Sequence, residues 1–446
     1  MLVSRRKKLI EVGIILLIFF LSAYLRFFSF GYPAEVVFDE TYYGRFAAGY
    51  LTKGNVFSGH PPLGALLIAI GGWAGDLKDP NNFKTIGDHL IPPTYLYLRF
   101  VVGLAGALIP VVAYLLIRLL GVGKSVGLGV ALVLIYENSL VVASRFAMPD
   151  SLLLLFGLTS LALYFFARKK KLMSLKILAA VVAGAAVSIK WTGLSYGLLI
   201  ATFELMSILR EKYQHVFLEV KKVFFRVVLG VLMPIICTYL LVYVVHFSVL
   251  GTLKVNNFPT LVTKAHRDMI YANTHMASHP AQSKWYEWPI MSKPISYWIG
   301  MNSPAGYRQE IFYTGNLFVY ILSALAVLAA TVFILLRLYQ MLFKKRVPER
   351  NEGVLALLLL MFSVNFLPFI FITRPMFLYH YMSALVFAVM ILFCWAGLIF
   401  KDKSVRVIVA AVVVIAMVNF VLTSPFTYGY SYKKPSAVFK LWNPLR

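Results

Sequence analysis

Long apolar runs separated by short polar or basic connections make up most of the 446-residue chain. A helix that crosses the hydrocarbon core of a bilayer needs about 20 predominantly apolar residues. About eleven stretches reach or approach that length. We therefore predict eleven membrane-spanning helices, at approximately 9–30, 95–119, 125–143, 150–167, 174–190, 193–209, 227–248, 316–340, 353–373, 376–399 and 404–424.

The basic residues between these runs predict the orientation of the chain. If the N-terminus is cytoplasmic and the helices alternate, more than half of the 43 lysines and arginines fall in cytoplasmic segments. The short outer turns then carry one each, which follows the positive-inside rule. We predict an N-in, C-out topology with two large outer loops, at 31–94 and 249–315. Because no small-residue cleavage site follows the basic N-terminus, the first helix is expected to be an uncleaved span.

The outer loops lack the composition of a separate soluble domain. The stretch 61–75 is apolar but short, and it begins with two prolines. Such a segment is typical of a helix that lies in the membrane interface. We therefore expect residues 1–446 to form one membrane-embedded domain, and the fold class to be an all-α polytopic membrane protein.

The composition supports this class and excludes others. Hydrophobic residues make up 60% of the chain and charged residues only 14%, with a mean hydropathy of +0.78, whereas soluble domains contain about 25% charged residues. The net charge of +25 does not indicate nucleic-acid binding, because no aromatic-rich basic module stands apart from the apolar runs. Both cysteines lie within apolar runs, which argues against a disulfide framework.

An acidic pair, Asp39 and Glu40, opens the first outer loop of a chain with only 18 acidic residues. Neighbouring side chains on a helix point about 100° apart, so the two carboxylates are expected to do different jobs. A partly desolvated carboxylate has a raised pKa and can act as a general base toward a hydroxyl, or it can cap the helix that follows. His60 precedes a proline pair and can bind phosphate or metal, or serve the structure alone.

The acidic pair and His60 belong to a set of seven short sequence strings that are distributed along the chain. The seven strings, in order, are DETYYG (39–44), HPPLG (60–64), YLRFVVGLAGALIP (97–110), RFAMPDSLLLLF (145–156), SIKWTGL (188–194), WPIMSKPISYW (288–298) and RPMFLYHYMSAL (374–385). Together they resemble the protein O-mannosyltransferases, polytopic enzymes of the GT-C glycosyltransferase class. Tyr42 stands where many members of that family have histidine, and Ala65 replaces a frequent lysine.

The resemblance implies a fold and a reaction. The fold is the GT-C glycosyltransferase fold, with interfacial helices in the first outer loop. The reaction transfers mannose, or a related hexose, from a polyprenyl or dolichyl phosphate to Ser/Thr hydroxyls of exported proteins, without a cofactor. Asp39 is then the general base and Glu40 its positioning partner, and a single attack inverts the sugar carbon. The expected location is a prokaryotic plasma membrane, with the active site on the outer face.

A departing lipid phosphate needs positive charge, which draws attention to cations near the outer face. Arg145, Lys190 and Arg374 lie in three short outer turns, where positive charge is otherwise disfavoured. We assign them to the donor phosphate. The alternative for all three cations is that their side chains extend toward lipid headgroups. Arg145 has a second alternative, which is an ion pair with Asp150. Arg99, which resembles a family arginine near the acidic pair, is also assigned to the donor site. Its alternatives are to hold Asp39 or Glu40 ionised, or to extend toward lipid headgroups.

Histidine and aromatic side chains complete the predicted site. The donor phosphate and sugar are assigned to His60, Tyr379 and His380, and the acceptor or sugar platform to Tyr42, Trp288 and Trp298. An interfacial belt is the alternative for the aromatic residues. Nothing in the spacing of acidic and histidine residues is diagnostic of a metal site, so we predict no essential metal.

Two other functions remain open at this point. A related GT-C enzyme would move a lipid-linked sugar such as aminoarabinose onto a lipid or glycan acceptor. A transporter or lipid flippase would carry charged residues at the bilayer midplane and repeats across two halves. Most acidic residues fall near the predicted membrane faces, and no repeat is evident.

Overall fold

Helices account for most of the structure, a computed structural model that describes residues 2–77, 83–210, 216–301, 303–347 and 349–433. The helices are α1 (Leu2–Phe27), α2 (Glu40–Thr52), α3 (Leu63–Ala74), α4 (Thr94–Leu119), α5 (Lys124–Ile135), α6 (Asn138–Ala143), α7 (Asp150–Lys170), α8 (Met173–Ile189), α9 (Leu194–Arg210), α10 (Val216–Val223), α11 (Met233–Val249), α12 (Phe258–Thr274), α13 (Leu317–Lys344), α14 (Arg350–Phe366), α15 (Met382–Ile399) and α16 (Asp402–Tyr428). The expected helical, polytopic fold class is confirmed.

Nine helical stretches in the described ranges are long and apolar enough to cross a membrane, judged by length and composition. They are Lys8–Phe27, Thr94–Leu119, Asp150–Lys170, Trp191–Arg210, Val220–Val249, Leu317–Lys344, Arg350–Phe371, Leu378–Ile399 and Lys403–Tyr428. Each of them coincides with a predicted span. The stretch Val220–Val249 is continuous because a π-helical segment, Phe224–Leu232, joins α10 to α11.

The remaining two predicted spans are not among these nine stretches. The segment predicted at 174–190 is α8, which has 17 residues. The prediction of one continuous helix at 125–143 is wrong, because α5 ends at Ile135 and α6 begins at Asn138. At the break, the buried Glu137 carboxylate accepts hydrogen bonds from the N–H of Ser139 at 3.2 Å and of Asn316 at 2.9 Å. A carboxylate is favourable there, since it satisfies free N–H groups at the starts of α6 and α13.

Side-chain contacts show which ends of consecutive helices share one end of the bundle. Arg99, near the start of α4, bonds the carbonyl of Gly31, just beyond α1, and Lys190, just beyond α8, pairs with Asp150 at the start of α7. At the opposite end, Arg118 in the last turn of α4 contacts Glu11 near the start of α1. This alternation agrees with the predicted order of passes, while the orientation of the bundle in a membrane stays a prediction.

The two long loops, 31–94 and 249–315, lie at the end of the bundle that holds Arg99 and Lys190. The first loop carries α2 and α3, and its two ends pair through a bridge between Glu35 and His89. The second loop carries α12 and the antiparallel strands β1 (Ile295–Ile299) and β3 (Glu310–Tyr313), with β2 (Tyr307–Arg308) paired to β4 (Tyr432–Lys433). α3, with 12 residues, is too short to span, as predicted for 61–75.

A direct contact joins the two loops next to the acidic pair. The Phe38 N–H donates to the carbonyl of Tyr297 in β1 at 3.1 Å, and the two rings stack with centroids 4.2 Å apart. Phe38 has a φ of +45°, a left-handed conformation that is uncommon outside glycine. Stacking and the hydrogen bond hold this turn, and α2 starts directly after it.

Candidate active site

A cleft of about 660 Å³ opens at the end of the bundle that carries the long loops. The charged, histidine and tyrosine side chains that line it come from the loop before α3, from the facing ends of α7 and α8, and from the segment before α15. The residues concerned are His60, Asp150, Lys190, Arg374, Tyr379 and His380. All six come from four of the seven strings in the sequence, and tertiary folding brings them together from distances of more than 300 residues.

Asp39 is not among the residues that line this cleft, but the charges of two lining residues, Lys190 and Asp150, act on its carboxylate. No hydrogen bond to that carboxylate is found within the described ranges. Asp39 precedes α2, and its backbone carbonyl accepts from the N–H of Tyr42 and Tyr43 at 2.9 and 3.1 Å. Its side chain makes no capping bond to the helix, so the carboxylate does not serve as a cap. Burial raises the pKa of Asp39 to about 6; the nearby Lys190 opposes this shift and the charge of Asp150 adds to it. The group is therefore poised to take up a proton near neutral pH.

Glu40 is committed to protein partners, unlike its neighbour. It is 1% exposed, and its carboxylate receives two bonds from the Arg99 guanidinium, at 2.9 and 2.7 Å. The N–H groups of Val37 and Ala147 donate to the same carboxylate at 3.0 and 2.9 Å. Every lone-pair direction of Glu40 is thereby used. This carboxylate holds the loop and does not line the cleft. The contacts fit the expected role of Glu40 as the positioning partner of Asp39, and that role stays a prediction.

The assignment of Arg99 to the donor is corrected, because its guanidinium pairs with Glu40, the alternative that the sequence left open. Besides Glu40, its guanidinium bonds the carbonyls of Gly31, Pro33 and Glu35, at 3.1, 2.7 and 2.8 Å. Arg99 is 1% exposed and does not line the cleft. Its hydrogen bonds link the start of α4 to the segment that carries Asp39, and they thereby position Asp39.

Arg145 does not reach the cleft either. Its guanidinium donates to the carbonyls of Arg26, Phe28 and Ser29, at 3.1, 2.6 and 3.1 Å. These carbonyls belong to the end of α1, where the helix leaves its acceptors unsatisfied. Burial lowers the pKa of Arg145 to about 10. The assignment to the donor phosphate is corrected: this arginine caps α1, and the alternative pair with Asp150 is also wrong.

Asp150 instead pairs with Lys190 on the wall of the cleft. The Lys190 ammonium donates to the Asp150 carboxylate at 2.7 Å and lies 5.2 Å from the centre of the Tyr379 ring. Asp150 is a cleft residue that the sequence assignment of the site omitted. Its position in RFAMPD, five residues after a predicted cation, was a signal, but the sequence did not show which cation it meets.

Arg374 is the cation of the cleft that lacks an acidic partner. Within the described ranges, its guanidinium makes one long bond, to the carbonyl of Pro375 at 3.5 Å, and no ion pair. Burial lowers its pKa, and Tyr379 opposes that effect. An arginine in a partly buried cleft without a carboxylate presents its donors to an incoming anion, and the planar guanidinium suits phosphate.

Two histidines and a tyrosine line the same wall. Burial, followed by the charges of Lys190 and Arg374, holds the pKa of His60 well below its usual range, so this imidazole is neutral. The His380 Nδ1 lies 3.0 Å from the carbonyl of Phe377, and its ring stacks on Tyr379 with centroids 4.7 Å apart. His60, Tyr379 and His380 are thus brought together as predicted, while their roles stay predictions.

The three aromatic residues assigned to the acceptor do not lie in the cleft. Tyr42 is 52% exposed and points away from the bundle, whereas Trp288 and Trp298 are 0% and 3% exposed. The Trp288 indole donates to Ser283 and the Trp298 indole to Glu35. These assignments are corrected, since buried indoles have no free face for a sugar.

Of the neighbouring residues Tyr42 and Tyr43, Tyr43 is the one that faces the site. On α2 the buried positions include 40, 43, 44 and 47, which is the i, i+3, i+4, i+7 pattern of one helix face. Burial raises the pKa of Tyr43 well above its usual range, and the charges of Asp150 and Asp39 contribute. The helical period of DETYYGRFAA contained this information, although the family comparison drew attention to Tyr42 instead.

No group of three or more His, Cys, Asp or Glu side chains in the described part of the chain is arranged to hold a metal ion. Asp39 and Asp150 are both close to the Lys190 ammonium, which supplies the positive charge that a metal would otherwise bring. The expectation that no metal is essential remains a prediction.

Two family models match adjoining parts of the chain. One, described as "Dolichyl-phosphate-mannose-protein mannosyltransferase", matches residues 16–251, slightly more than half of the sequence. The other, described as "C-terminal four TMM region of protein-O-mannosyltransferase", matches residues 258–443. The two matches together cover the first long loop, most of the second and all the cleft residues discussed above.

Curated relatives match over part of their length. Dolichyl-phosphate-mannose–protein mannosyltransferase 4 of Candida albicans is 29% identical over 247 residues, which is 52% of this chain and 33% of that protein. Dolichyl-phosphate-mannose–protein mannosyltransferase 1 of Saccharomyces cerevisiae is 34% identical over 185 residues, which is 39% of this chain and 22% of that protein. The match thus spans a third or less of the length of these relatives.

Solved structures show the same fold. The Saccharomyces cerevisiae protein O-mannosyltransferase Pmt1-Pmt2 complex bound to the sugar donor aligns with a TM-score of 0.83 and 17% identity, covering 94% of this chain and 90% of the matched one. ArnT from Cupriavidus metallidurans aligns with a TM-score of 0.51 and 13% identity, covering 96% and 77%. The GT-C class predicted from the strings is confirmed by these neighbours.

Proposed function

The chain belongs to the dolichyl-phosphate-mannose–protein mannosyltransferase family, and from this premise we propose that it transfers mannose, or a related hexose, from a polyprenyl- or dolichyl-phosphate carrier to Ser/Thr hydroxyls of exported proteins. One observation carries the proposal for this chain. Asp39, a carboxylate with a raised pKa, lies within reach of the charges of Lys190 and Asp150, which line a cleft in which Arg374 has no acidic partner among the described residues. This arrangement suits a reaction that needs a base and a binding site for a leaving phosphate.

The mechanism uses these two groups in one displacement. The acceptor hydroxyl oxygen forms a bond to the anomeric carbon as Asp39 takes the hydroxyl proton. The bond between that carbon and the phosphate oxygen breaks, and the lipid phosphate leaves with the electron pair. Arg374 and Lys190 stabilise the charge that develops on the phosphate. Because the nucleophile enters opposite the leaving group, the configuration at the sugar carbon inverts, so a β-linked donor gives an α-linked product.

Glu40 and Arg99 support this step without touching the substrate. The buried pair fixes the backbone on either side of Asp39 through bonds to Gly31, Pro33, Glu35 and Val37. A base held by such a network loses little free energy to reorganisation during proton transfer, which is the requirement for an effective catalytic geometry.

The family match favours a protein acceptor over a lipid or glycan acceptor, and it favours an enzyme over a transporter. We further propose that the cleft lies at the outer face of a multi-pass membrane protein, in a prokaryotic plasma membrane. The basic residues clustered at the opposite end of the bundle support this orientation through the positive-inside rule.

A transfer assay tests the proposed function. Membranes that contain the chain are incubated with labelled polyprenyl-phosphate mannose and a Ser/Thr-rich peptide, and label is followed into peptide and lipid fractions. We expect label in the peptide, at an alkali-labile Ser/Thr linkage, and none when membranes lack the chain. Label that enters lipid but never peptide would contradict the protein acceptor.

The rate of transfer is expected to depend on the protonation of Asp39. Because the pKa of this group is raised to about 6 and only the carboxylate form accepts a proton, the rate should fall as pH decreases through about 6. Above about pH 7 the carboxylate form dominates, so the rate should reach a plateau. The measurement is kcat/KM from about pH 4.5 to 9. A profile that stays flat from pH 5 to 8 would contradict the assignment of Asp39 as the base.

Replacing Arg374 with Gln is expected to weaken the donor interaction by about 10- to 100-fold in kcat/KM, since hydrogen bonds to charged groups contribute about 1.5–3 kcal/mol. The measurement is kcat/KM for the polyprenyl-phosphate donor at saturating peptide. Arg267→Gln is the matched control, because Arg267 is an exposed arginine of α12 whose side chain is 76% exposed. Equal losses in both variants would argue against a specific role for Arg374.

A further inference from the structure

A second cavity, of about 950 Å³, lies at the opposite end of the bundle from the active-site cleft. It is bounded by the last turns of α7, α9 and α13 and the first turns of α14. Asp150, at the cleft, and Arg168, at this cavity, are the two ends of α7; at 1.5 Å per residue they are about 27 Å apart along the helix axis. That separation is close to the thickness of a hydrocarbon core, about 30 Å, so the two sites face different leaflets.

The carboxylates of this cavity are already neutralised by other residues. Glu352 pairs with Arg337 at 2.9 Å and with Arg346 at 3.0 Å, and Glu349 pairs with Arg346 at 3.2 Å. Three further arginines line the cavity, and none has a carboxylate partner within the described ranges: Arg168, Arg210 and Arg350. The cavity therefore keeps an excess of positive charge.

Arg350 adds positive charge at the start of α14, where the positive end of the helix dipole favours an anion. The Glu349 and Glu352 carboxylates already lie at this helix start. Arg350 is exposed, and its guanidinium lies beside Gly121, whose φ of +87° favours glycine.

The walls of the cavity show what kind of anion would fit. Below the arginines, the lining is apolar and includes Phe165, Phe203, Leu338, Leu357 and Leu360. A small soluble anion would leave these surfaces uncovered, and a nucleotide would place polar groups against them. An anionic head with hydrocarbon chains matches both the charged and the apolar parts, because guanidinium groups bind phosphate in a bidentate way and basic pockets between membrane helices bind acidic lipid heads.

We propose that this cavity binds an anionic glycerophospholipid of the leaflet opposite the active site. The lipid phosphate lies among Arg168, Arg210 and Arg350, and the acyl chains follow the apolar wall between α7, α9, α13 and α14. This site is independent of the proposed mannosyl transfer, since none of its residues lines the active-site cleft.

Native mass spectrometry of the detergent-purified full chain tests the proposal. The protein is titrated with palmitoyl-oleoyl phosphatidylglycerol or with the phosphatidylcholine of the same acyl chains. We expect retention of the first lipid at concentrations at least about tenfold lower than the second. The variant Arg168→Gln/Arg350→Gln should lose about 10- to 30-fold of the phosphatidylglycerol affinity, at roughly fivefold per basic residue near an anionic lipid.

The matched control is Lys169→Gln/Lys170→Gln, which removes the same charge from the same end of α7 but outside the cavity. It should leave retention unchanged. Equal retention by the arginine variant and the wild type, or equal losses in both variants, would overturn the proposal. Unchanged weak retention of phosphatidylcholine by the arginine variant shows that the protein remains folded.

A thermal-stability measurement separates a lipid from free phosphate. Phosphatidylglycerol should raise the unfolding temperature of the wild type but not of the arginine variant, because a ligand that binds only the folded state stabilises it. Inorganic phosphate at millimolar concentration should produce no comparable shift. If inorganic phosphate stabilises the wild type as much as the lipid does, the apolar wall contributes nothing and a lipid is the wrong ligand.

Discussion

Replacing Asp39 with Asn is expected to reduce the rate of mannosyl transfer by about 10²- to 10⁴-fold, the range that a positioned general base contributes. The amide keeps the shape of the side chain but cannot take the proton of the acceptor hydroxyl. Because the Asp39 side chain makes no bond to the helix that follows it, the substitution should leave folding unchanged. The measurement is kcat for labelled mannose entering a Ser/Thr-rich peptide, at saturating donor and peptide.

Two further variants test whether the loss of transfer is specific to the carboxylate of Asp39. Asp268→Asn removes a partly exposed carboxylate of α12, at the same end of the bundle, and should transfer mannose at the wild-type rate. Asp39→Glu keeps the carboxylate but displaces it, so its rate should lie between those of the wild type and Asp39→Asn. An Asp39→Asn enzyme that works at the wild-type rate would refute the proposed mechanism, although the family membership would stand.

Replacing Arg99 with Met is expected to destabilise the folded protein by about 3–5 kcal/mol, the cost of leaving one partner of a buried ion pair without its counter-charge. Glu40 would stay buried without its counter-charge, and the carbonyls of Gly31, Pro33 and Glu35 would lose their donor. The measurement is the unfolding free energy of the purified protein in detergent, or its unfolding temperature where refolding is incomplete. Arg45→Met is the control, because Arg45 is an exposed arginine of α2.

The double variant Arg99→Met/Glu40→Met should be less unstable than Arg99→Met alone. Both charges are then absent, and replacing a whole buried pair with apolar side chains is often nearly neutral. The recovery should be partial, because Val37 and Ala147 lose the acceptor of their N–H groups. If the single variant is no less stable than Arg45→Met, the pair does not hold the segment around Asp39 as described.

Arg99 and Arg374 illustrate how far the sequence assignments reached. Both are lone arginines near predicted membrane faces, and both received the same assignment to the donor. In the structure Arg99 has Glu40 and three carbonyls as partners, whereas Arg374 has a single long bond to a carbonyl. Sequence strings identify which polar residues matter, but the availability of a cation for a ligand depends on the partners that folding brings to it.

The acidic pair shows the same division between sequence and structure. The two residues differ by one position, so they point in different directions, and the sequence predicts different roles for them. Which carboxylate is free is settled by contacts with Arg99 and Ala147, which are 59 and 107 residues away in the chain. The remote N–H of Ala147 has no signature in the sequence around Asp39.

By itself, the sequence determined the class of the protein and the positions of the nine long apolar helices, because hydrophobic length and local spacing depend only on neighbours along the chain. It also contained the strings of residues from which the cleft is built. The tertiary structure alone decided the break before α6, the pairing of Asp150 with Lys190 and the burial of Trp288 and Trp298. It also decided that, within the described ranges, Arg374 has no acidic partner. Each of these depends on contacts between distant segments, where a buried charge must find a partner or remain available for a substrate.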